Sequence, residues 1–148
     1  MKAQLISAAI LLSAALPVTG VCHAAQIVGA GNSQCMTVPE HGGVVPDGTI
    51  VRSIECRGQN NQQWSVSNGV ISGFAGVCLD IQGSNPSNGA QVIGVACNGA
   101  PSQQWVITNG QIMSLGGKCL GVAPGNGFRA ALVISACSSA PGQQWSVS

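Results

Sequence analysis

The sequence predicts an all-β chain built from three internal repeats of about 40 residues, and three observations point there. All three tryptophans of a chain without tyrosine stand in the same tripeptide, Gln-Gln-Trp, at 62–64, 103–105 and 143–145. Trp64, Trp105 and Trp145 lie 41 and 40 residues apart, and two cysteines fall in step within each repeat. No helical period of any length runs through the chain, whereas 21 glycines among many Asn, Ser and Gln suit short strands separated by turns.

The first 24 residues stand apart from this pattern. Lys2 supplies a positive start, Leu5 to Leu16 a short apolar run, and Cys22-His23-Ala24 small residues at offsets suited to cleavage. Residues 1–24 are read as a signal peptide, which leaves 25–148 as one domain. The apolar run is shorter than the roughly 20 residues of a spanning helix, and Pro17 and Gly20 interrupt it, so no membrane span is expected. Val21 before Cys22 is bulkier than the residue a lipidation signal carries. The mature chain is expected to be secreted, extracellular or periplasmic.

Within each repeat the elements recur in order. Val28, Ile71 and Ile112 each precede a cysteine (Cys35, Cys78, Cys119) by seven residues. A second cysteine follows (Cys56, Cys97, Cys137), and the tryptophan comes eight residues after it. Ser-Asn-Gly at 67–69 and Thr-Asn-Gly at 108–110 are hairpin turns that join the strand starting at each Trp to the first strand of the next repeat. Each repeat thus reads as four short strands.

Leader removal takes Cys22 with it and leaves six cysteines, an even number that reads as disulfides in an exported chain. Repeat symmetry leaves two pairings open: within repeats (35 with 56, 78 with 97, 119 with 137) or between neighbours (56 with 78, 97 with 119, 137 with 35). The within-repeat set closes loops of about 20 residues, each worth roughly 3 kcal/mol in the chain-entropy model.

Hydrophobic residues make up 45% of the 148, charged ones only 6%, and five basic against four acidic residues give a net charge of +1. That balance gives no electrostatic footprint for nucleic acid or an anionic membrane surface. Partners must be met through neutral polar groups.

With these elements in register, Cys-Leu-Asp at 78–80, a Gly eight residues before the second cysteine in two repeats (Gly48, Gly89) and three Gln-x-Trp triplets resemble the ricin B-type lectin family. The resemblance covers essentially all of 25–148. It implies a β-trefoil: twelve strands, a six-stranded barrel closed by three hairpins, pseudo-threefold symmetry, and disulfides within repeats. It also implies that Trp64, Trp105 and Trp145 pack in a shared core, with the first Gln of each triplet bonded to nearby main chain. The physics agrees, because threefold closure needs three equivalent large apolar groups and a buried indole must still find an acceptor for its N–H.

The resemblance further implies up to three shallow sugar pockets. Each combines an Asp two residues after the first cysteine, a polar Gln and an aromatic four and two before the second, and often an Asn before the triplet. A carboxylate accepts hydroxyl hydrogen bonds, and a ring packs on the C–H face of a sugar. The second repeat keeps the Asp as Asp80 and has Gln103 at the head of its triplet, but Ile93, Val95 and Ser102 stand at the other positions. Asn98 and Asn88 are placed to add amide contacts. The first repeat has Thr37, Arg52 and Ile54 and keeps Asn61; the third has Gly121, Val133, Ser135 and Gly142. Asp80, Asn98 and Gln103 are therefore the candidate carbohydrate-binding residues, with a galactose-type glycan as the first candidate ligand. Asp80 is also suited to accept from main-chain N–H groups two residues on and simply hold a turn.

Other chemistry finds little support. His41, the one histidine left after cleavage, sits in the polar Pro-Glu-His-Gly-Gly loop, and the cysteines are expected to be oxidised, so neither a metal site, a cofactor nor a Cys-His nucleophile is expected. Glu40, Asp47 and Glu55 read as solvated charges. Phe74 aligns with Leu115 and reads as core, whereas Phe128, beside Arg129 in a long loop, reads as an exposed contact or a loop anchor. The expected function is a non-enzymatic carbohydrate-binding module with at most one well-preserved pocket. The alternative is a degenerate trefoil that acts through a protein partner, as a toxin's surface-binding subunit or an inhibitor-like domain does.

Overall fold

A computed structural model of the chain describes residues 24–125 and 129–148. The body of the expected signal peptide, residues 1–23, and Phe128 lie outside the described residues. Thirteen strands form among them and no α-helix. In chain order they are β1 (Ile27–Gly29), β2 (Gln34–Thr37), β3 (Thr49–Ile50), β4 (Arg52–Glu55), β5 (Ser65–Ser67), β6 (Val70–Ser72) and β7 (Val77–Ile81). There follow β8 (Ala90–Ala96), β9 (Trp105–Thr108), β10 (Gln111–Ser114), β11 (Lys118–Val122), β12 (Ala130–Ala136) and β13 (Trp145–Val147).

The extra strand over the expected twelve is an interruption. β3 and β4 flank Val51, whose N–H donates to Val92 (2.9 Å) and whose carbonyl accepts from Leu132 (2.9 Å). One residue of the first repeat thereby ties together the long strands of the other two. The same three long strands pair pairwise: β3 with β8 (Ile50↔Ile93), β8 with β12 (Val133↔Gln91) and β12 with β4 (Ala130↔Ser53).

A second set of three pairings joins the repeats end to start. β5 pairs with β6 and β9 with β10 across Asn68-Gly69 and Asn109-Gly110. All four turn residues have positive φ (52°, 80°, 51° and 78°), the state a two-residue hairpin of this type needs and Asn-Gly best supplies. The third member is made by the chain ends, β13 on β1 (Ile27↔Val147), which closes the ring. All pairings are antiparallel, and the architecture is a β-trefoil.

The core lies on the threefold. Trp64, Trp105 and Trp145 are 1%, 3% and 5% exposed, and their indole N–H groups donate to the carbonyls of Met36 (2.9 Å), Leu79 (3.0 Å) and Leu120 (3.0 Å). Each acceptor is the residue after the first cysteine of its repeat, so every indole is both buried and satisfied. Ile27, Ile71 and Ile112 pack with them from the first strands. Phe74 is half-buried against this cluster, but its counterpart Leu115 is 60% exposed. The disulfides are Cys35–Cys56, Cys78–Cys97 and Cys119–Cys137, all within repeats.

Candidate functional site

The candidate site begins where β7 and β8 run side by side, with Asp80 level with Ile93. Asp80 is 7% exposed. One carboxylate oxygen accepts from the N–H of Ile81 (2.6 Å) and the other from the side-chain amide of Gln103 (3.0 Å). An ionised carboxylate has about four lone-pair positions, so roughly two remain for other donors.

Gln103 holds this arrangement. It is buried in the short 3-10 turn Pro101–Gln103, and its amide nitrogen also donates to the carbonyl of Ala96 (3.0 Å), while its amide oxygen accepts from the N–H of Asn98 (2.9 Å). Asn98, on an exposed loop, in turn accepts from the N–H of Ala100 through its side-chain oxygen (2.8 Å). Asp80, Asn98 and Gln103 are thus one hydrogen-bonded unit. Asn88 belongs elsewhere: its side-chain oxygen accepts from Lys118 (2.6 Å) and from the N–H of Ala136 (3.0 Å), in the third repeat.

The same slot in the other repeats shows what is fold and what is particular to Asp80. Gln62 donates to the carbonyl of Glu55 (2.8 Å) and to the hydroxyl of Thr37 (3.1 Å), and accepts from the N–H of Arg57 (2.7 Å). Gln143 donates to the carbonyl of Ala136 (3.0 Å) and accepts from the N–H of Ser138 (2.7 Å). Opposite it Gly121 has no side chain, and an added Cβ would lie 3.1 Å from Gln143. The triplet glutamine therefore braces the loop after the second cysteine in every repeat. Only the residue it faces changes, from Thr37 to Asp80 to Gly121.

Two further features bear on what the surface can do. A pocket of about 270 Å³ lies between the second and third repeats, with Ile81, Pro86, Pro101 and the exposed Leu115 among its walls. In the first repeat a smaller pocket of about 150 Å³ is lined by Thr37, Ile54, Arg57, Asn61 and Arg129, among others. The part Arg129 plays there was not drawn from the sequence, although the register that places Gly48 and Gly89 eight residues before their second cysteines puts Arg129 at the same position. Among the described residues no three of His, Cys, Asp and Glu gather as a metal site, and no helix is long and apolar enough to cross a membrane. His41 is exposed and pairs through its main chain with Val44.

The family model for the ricin-type beta-trefoil lectin domain matches residues 23–145. No curated protein sequence matches the chain. Among solved structures, the designed threefold-symmetric protein ThreeFoil is 24% identical, with 84% of this chain and 96% of that chain covered and a TM-score of 0.74. A non-toxic homologue of type II RIPs from Momordica charantia (bitter gourd), solved in complex with α-methyl-D-galactoside, is 25% identical over 84% of this chain and 47% of its own, with a TM-score of 0.72. The agglutinin from Abrus precatorius is 20% identical over 90% of this chain and 51% of its own, with a TM-score of 0.74. The chain spans about half the length of these last two proteins.

Proposed function

The chain belongs to the ricin-type beta-trefoil lectin family, and on that premise we propose that it is a secreted carbohydrate-binding module whose best-preserved sugar site is the Asp80 unit of the second repeat. The observation that carries this reading is the Asp80 carboxylate, oriented by Gln103 and Ile81 with lone pairs to spare. A sugar's adjacent hydroxyls are donors of the kind such a carboxylate accepts. Hydrogen bonds to a charged group contribute about 1.5–3 kcal/mol each. The side-chain amide of the exposed Asn98 adds donors for a ring or hydroxyl oxygen, and Gln103 holds the Asp80 carboxylate in place. A galactose-type glycan is the first ligand to test, since the Momordica charantia relative was solved with α-methyl-D-galactoside.

The site is weak by its composition. Ile93 and Val95 stand where a polar side chain and an aromatic ring would complete it, and the absent ring removes about 1 kcal/mol. Millimolar affinity corresponds to only about 4 kcal/mol. One such site makes the monomer monovalent, so it lacks the avidity needed to agglutinate cells. Neither a catalytic step nor a cofactor enters this reading.

Secretion is supported by the three disulfides and by the leader-like composition of residues 1–24. Ala25 exchanges both main-chain hydrogen bonds with Trp64 (2.7 and 2.8 Å), so cleavage after Ala24 keeps the first residue of the mature chain in its pairing. N-terminal sequencing of exported protein tests this: a start at Ala25 supports it, and a retained Met1 contradicts it.

Weak-affinity chromatography on immobilised galactose tests the sugar reading. The oxidised protein should be retarded and its Asp80→Thr variant should elute with the void; equal elution of the two contradicts the assignment. A second reading, a trefoil that docks a protein partner, rests on the exposed Leu115 beside the apolar pocket between the second and third repeats. Chromatography without retardation on any sugar would favour it.

A further inference from the structure

The pocket of the first repeat occupies the same place relative to its triplet as the Asp80 site, yet its chemistry is reversed. Thr37 stands where Asp80 does, Ile54 where Val95 does, and Asn61 where Ser102 does. The Thr37 hydroxyl spends its proton on the carbonyl of Cys35 (2.9 Å) and accepts from Gln62 (3.1 Å), and unlike Asp80 it carries no charge. The floor therefore offers no anionic acceptor of the kind Asp80 supplies. The walls offer donors instead. Among the described residues the Arg129 guanidinium and the Asn61 side-chain amide have no hydrogen-bond or ion-pair partner. Arg57 keeps one guanidinium nitrogen clear of its ion pair with Glu55. Glu40, the carboxylate on the rim, accepts from the N–H of Gly43 (2.6 Å) in its own loop.

Arg129 carries a second, independent peculiarity. It sits at φ 52°, in the left-handed region, at the position where the other repeats have Gly48 (φ 94°) and Gly89 (φ 89°). Glycine meets that backbone state without steric penalty, and an arginine does not. Side chains placed at Gly48 or Gly89 would meet nothing within 4 Å, so the direction is open space. Ala130 pairs with Ser53, which brings Arg129 level with Ile54 at the pocket's edge, and its carbonyl is held there by the Arg52 guanidinium (3.0 Å). Strained non-glycine residues of this kind persist where the surroundings fix them and cluster at ligand sites.

We propose that this first-repeat pocket is a separate saccharide site that takes an acidic sugar, with the Arg129 guanidinium receiving the sugar's carboxylate, Asn61 donating to a neighbouring oxygen and Ile54 covering the apolar face of the ring. A guanidinium pairs with a carboxylate through two parallel N–H···O bonds, a geometry no neutral sugar offers. The proposal rests on the carbohydrate-binding reading given above but not on the Asp80 site, with which it shares no side chain.

The test is a backbone-amide NMR titration of the oxidised protein with N-acetylneuraminic acid, glucuronate, galactose and acetate. The acidic sugars should give saturable shifts at Thr37, Ile54, Asn61 and Arg129, weakened severalfold by raising salt. Arg129→Gly places there the residue the other repeats already use, so the variant should fold. It should lose at least about tenfold in affinity for the acidic sugars, while Arg129→Lys should retain part of it. Galactose should leave these resonances unmoved, and any response to it near Asp80 should survive in Arg129→Gly. The proposal is overturned by the absence of shifts in this pocket at tens of millimolar, by full affinity in Arg129→Gly, or by acetate matching the sugars, which would make it a plain anion site.

Discussion

Gln103 donates to Asp80 across 3.0 Å with one of the two N–H groups of a buried amide, and its other polar contacts, to Ala96 and Asn98, are those that Gln62 and Gln143 make in their own repeats. A structural brace present in all three repeats thus acquires in one of them a carboxylate to aim. The distinction between brace and aimed group separates mutations that unfold the trefoil from those that silence it.

Asp80→Thr should fold, since the first repeat already pairs Thr37 with Gln62 at 3.1 Å. Sugar binding should fall by about 1.5–3 kcal/mol, which for a millimolar site means loss of detectable binding. A urea midpoint close to that of the parent together with absent retention on galactose checks both halves.

Gln62→Ala removes three hydrogen bonds, one buried and two part-buried, and leaves the N–H of Arg57, the carbonyl of Glu55 and the hydroxyl of Thr37 each short of a partner. Each such orphaned group costs about 1–3 kcal/mol when buried, less for the part-buried N–H of Arg57, so a total near 3 kcal/mol is expected. Chemical denaturation reads it directly, and a change under 1 kcal/mol would show the brace to be dispensable.

Gly73→Ala should destabilise by about 1–3 kcal/mol through overpacking. Its added Cβ would lie 2.7 Å from two ring carbons of Trp64, which is held in place by its bond to Met36. The third repeat accommodates Ser114 opposite Trp105 at the corresponding place, so the effect should be specific to the Trp64 corner. Thermal melts of Gly73→Ala and Ser114→Ala separate the cases: Ser114→Ala gives up only the 3.2 Å bond that its hydroxyl accepts from the N–H of Lys118 and should lower Tm less than Gly73→Ala.

Reduction should be costly in proportion to the loops it opens. The bridged cysteines are 21, 19 and 18 residues apart, and loops of that length stabilise by roughly 3 kcal/mol each in the chain-entropy model. A domain of this size has only about 5–15 kcal/mol in all, so the fully reduced chain should be largely unfolded at 37 °C by far-UV circular dichroism. A reduced chain with an unchanged melt would contradict this.

The fold was legible because threefold symmetry writes itself into the sequence as a period. A tryptophan eight residues after a cysteine, repeated at 41 and 40, sets the strands in step, and the two Asn-Gly pairs mark the hairpins between repeats. The first strand, however, is shifted by one, so that Ile27 and not Val28 takes the core place of Ile71 and Ile112. The split of one long strand at Val51 was not legible, since it follows from simultaneous bonds to Val92 and Leu132 in other repeats. Leu115 shows the limit of alignment within the repeat: it shares a position with half-buried Phe74, yet the third repeat leaves it in solvent. For the site, the residue types at each slot could be read, but not which atoms face one another. That Arg129 comes level with Ile54 depends on a pairing between repeats that local spacing does not reveal.

The most direct test of a sugar site at Asp80 is a backbone-amide titration of the oxidised protein with α-methyl-D-galactoside to tens of millimolar. Saturable shifts confined to Asp80, Ile81, Asn98 and Gln103, absent in Asp80→Thr, are the predicted result. An unperturbed spectrum, or shifts that persist in Asp80→Thr, would contradict it.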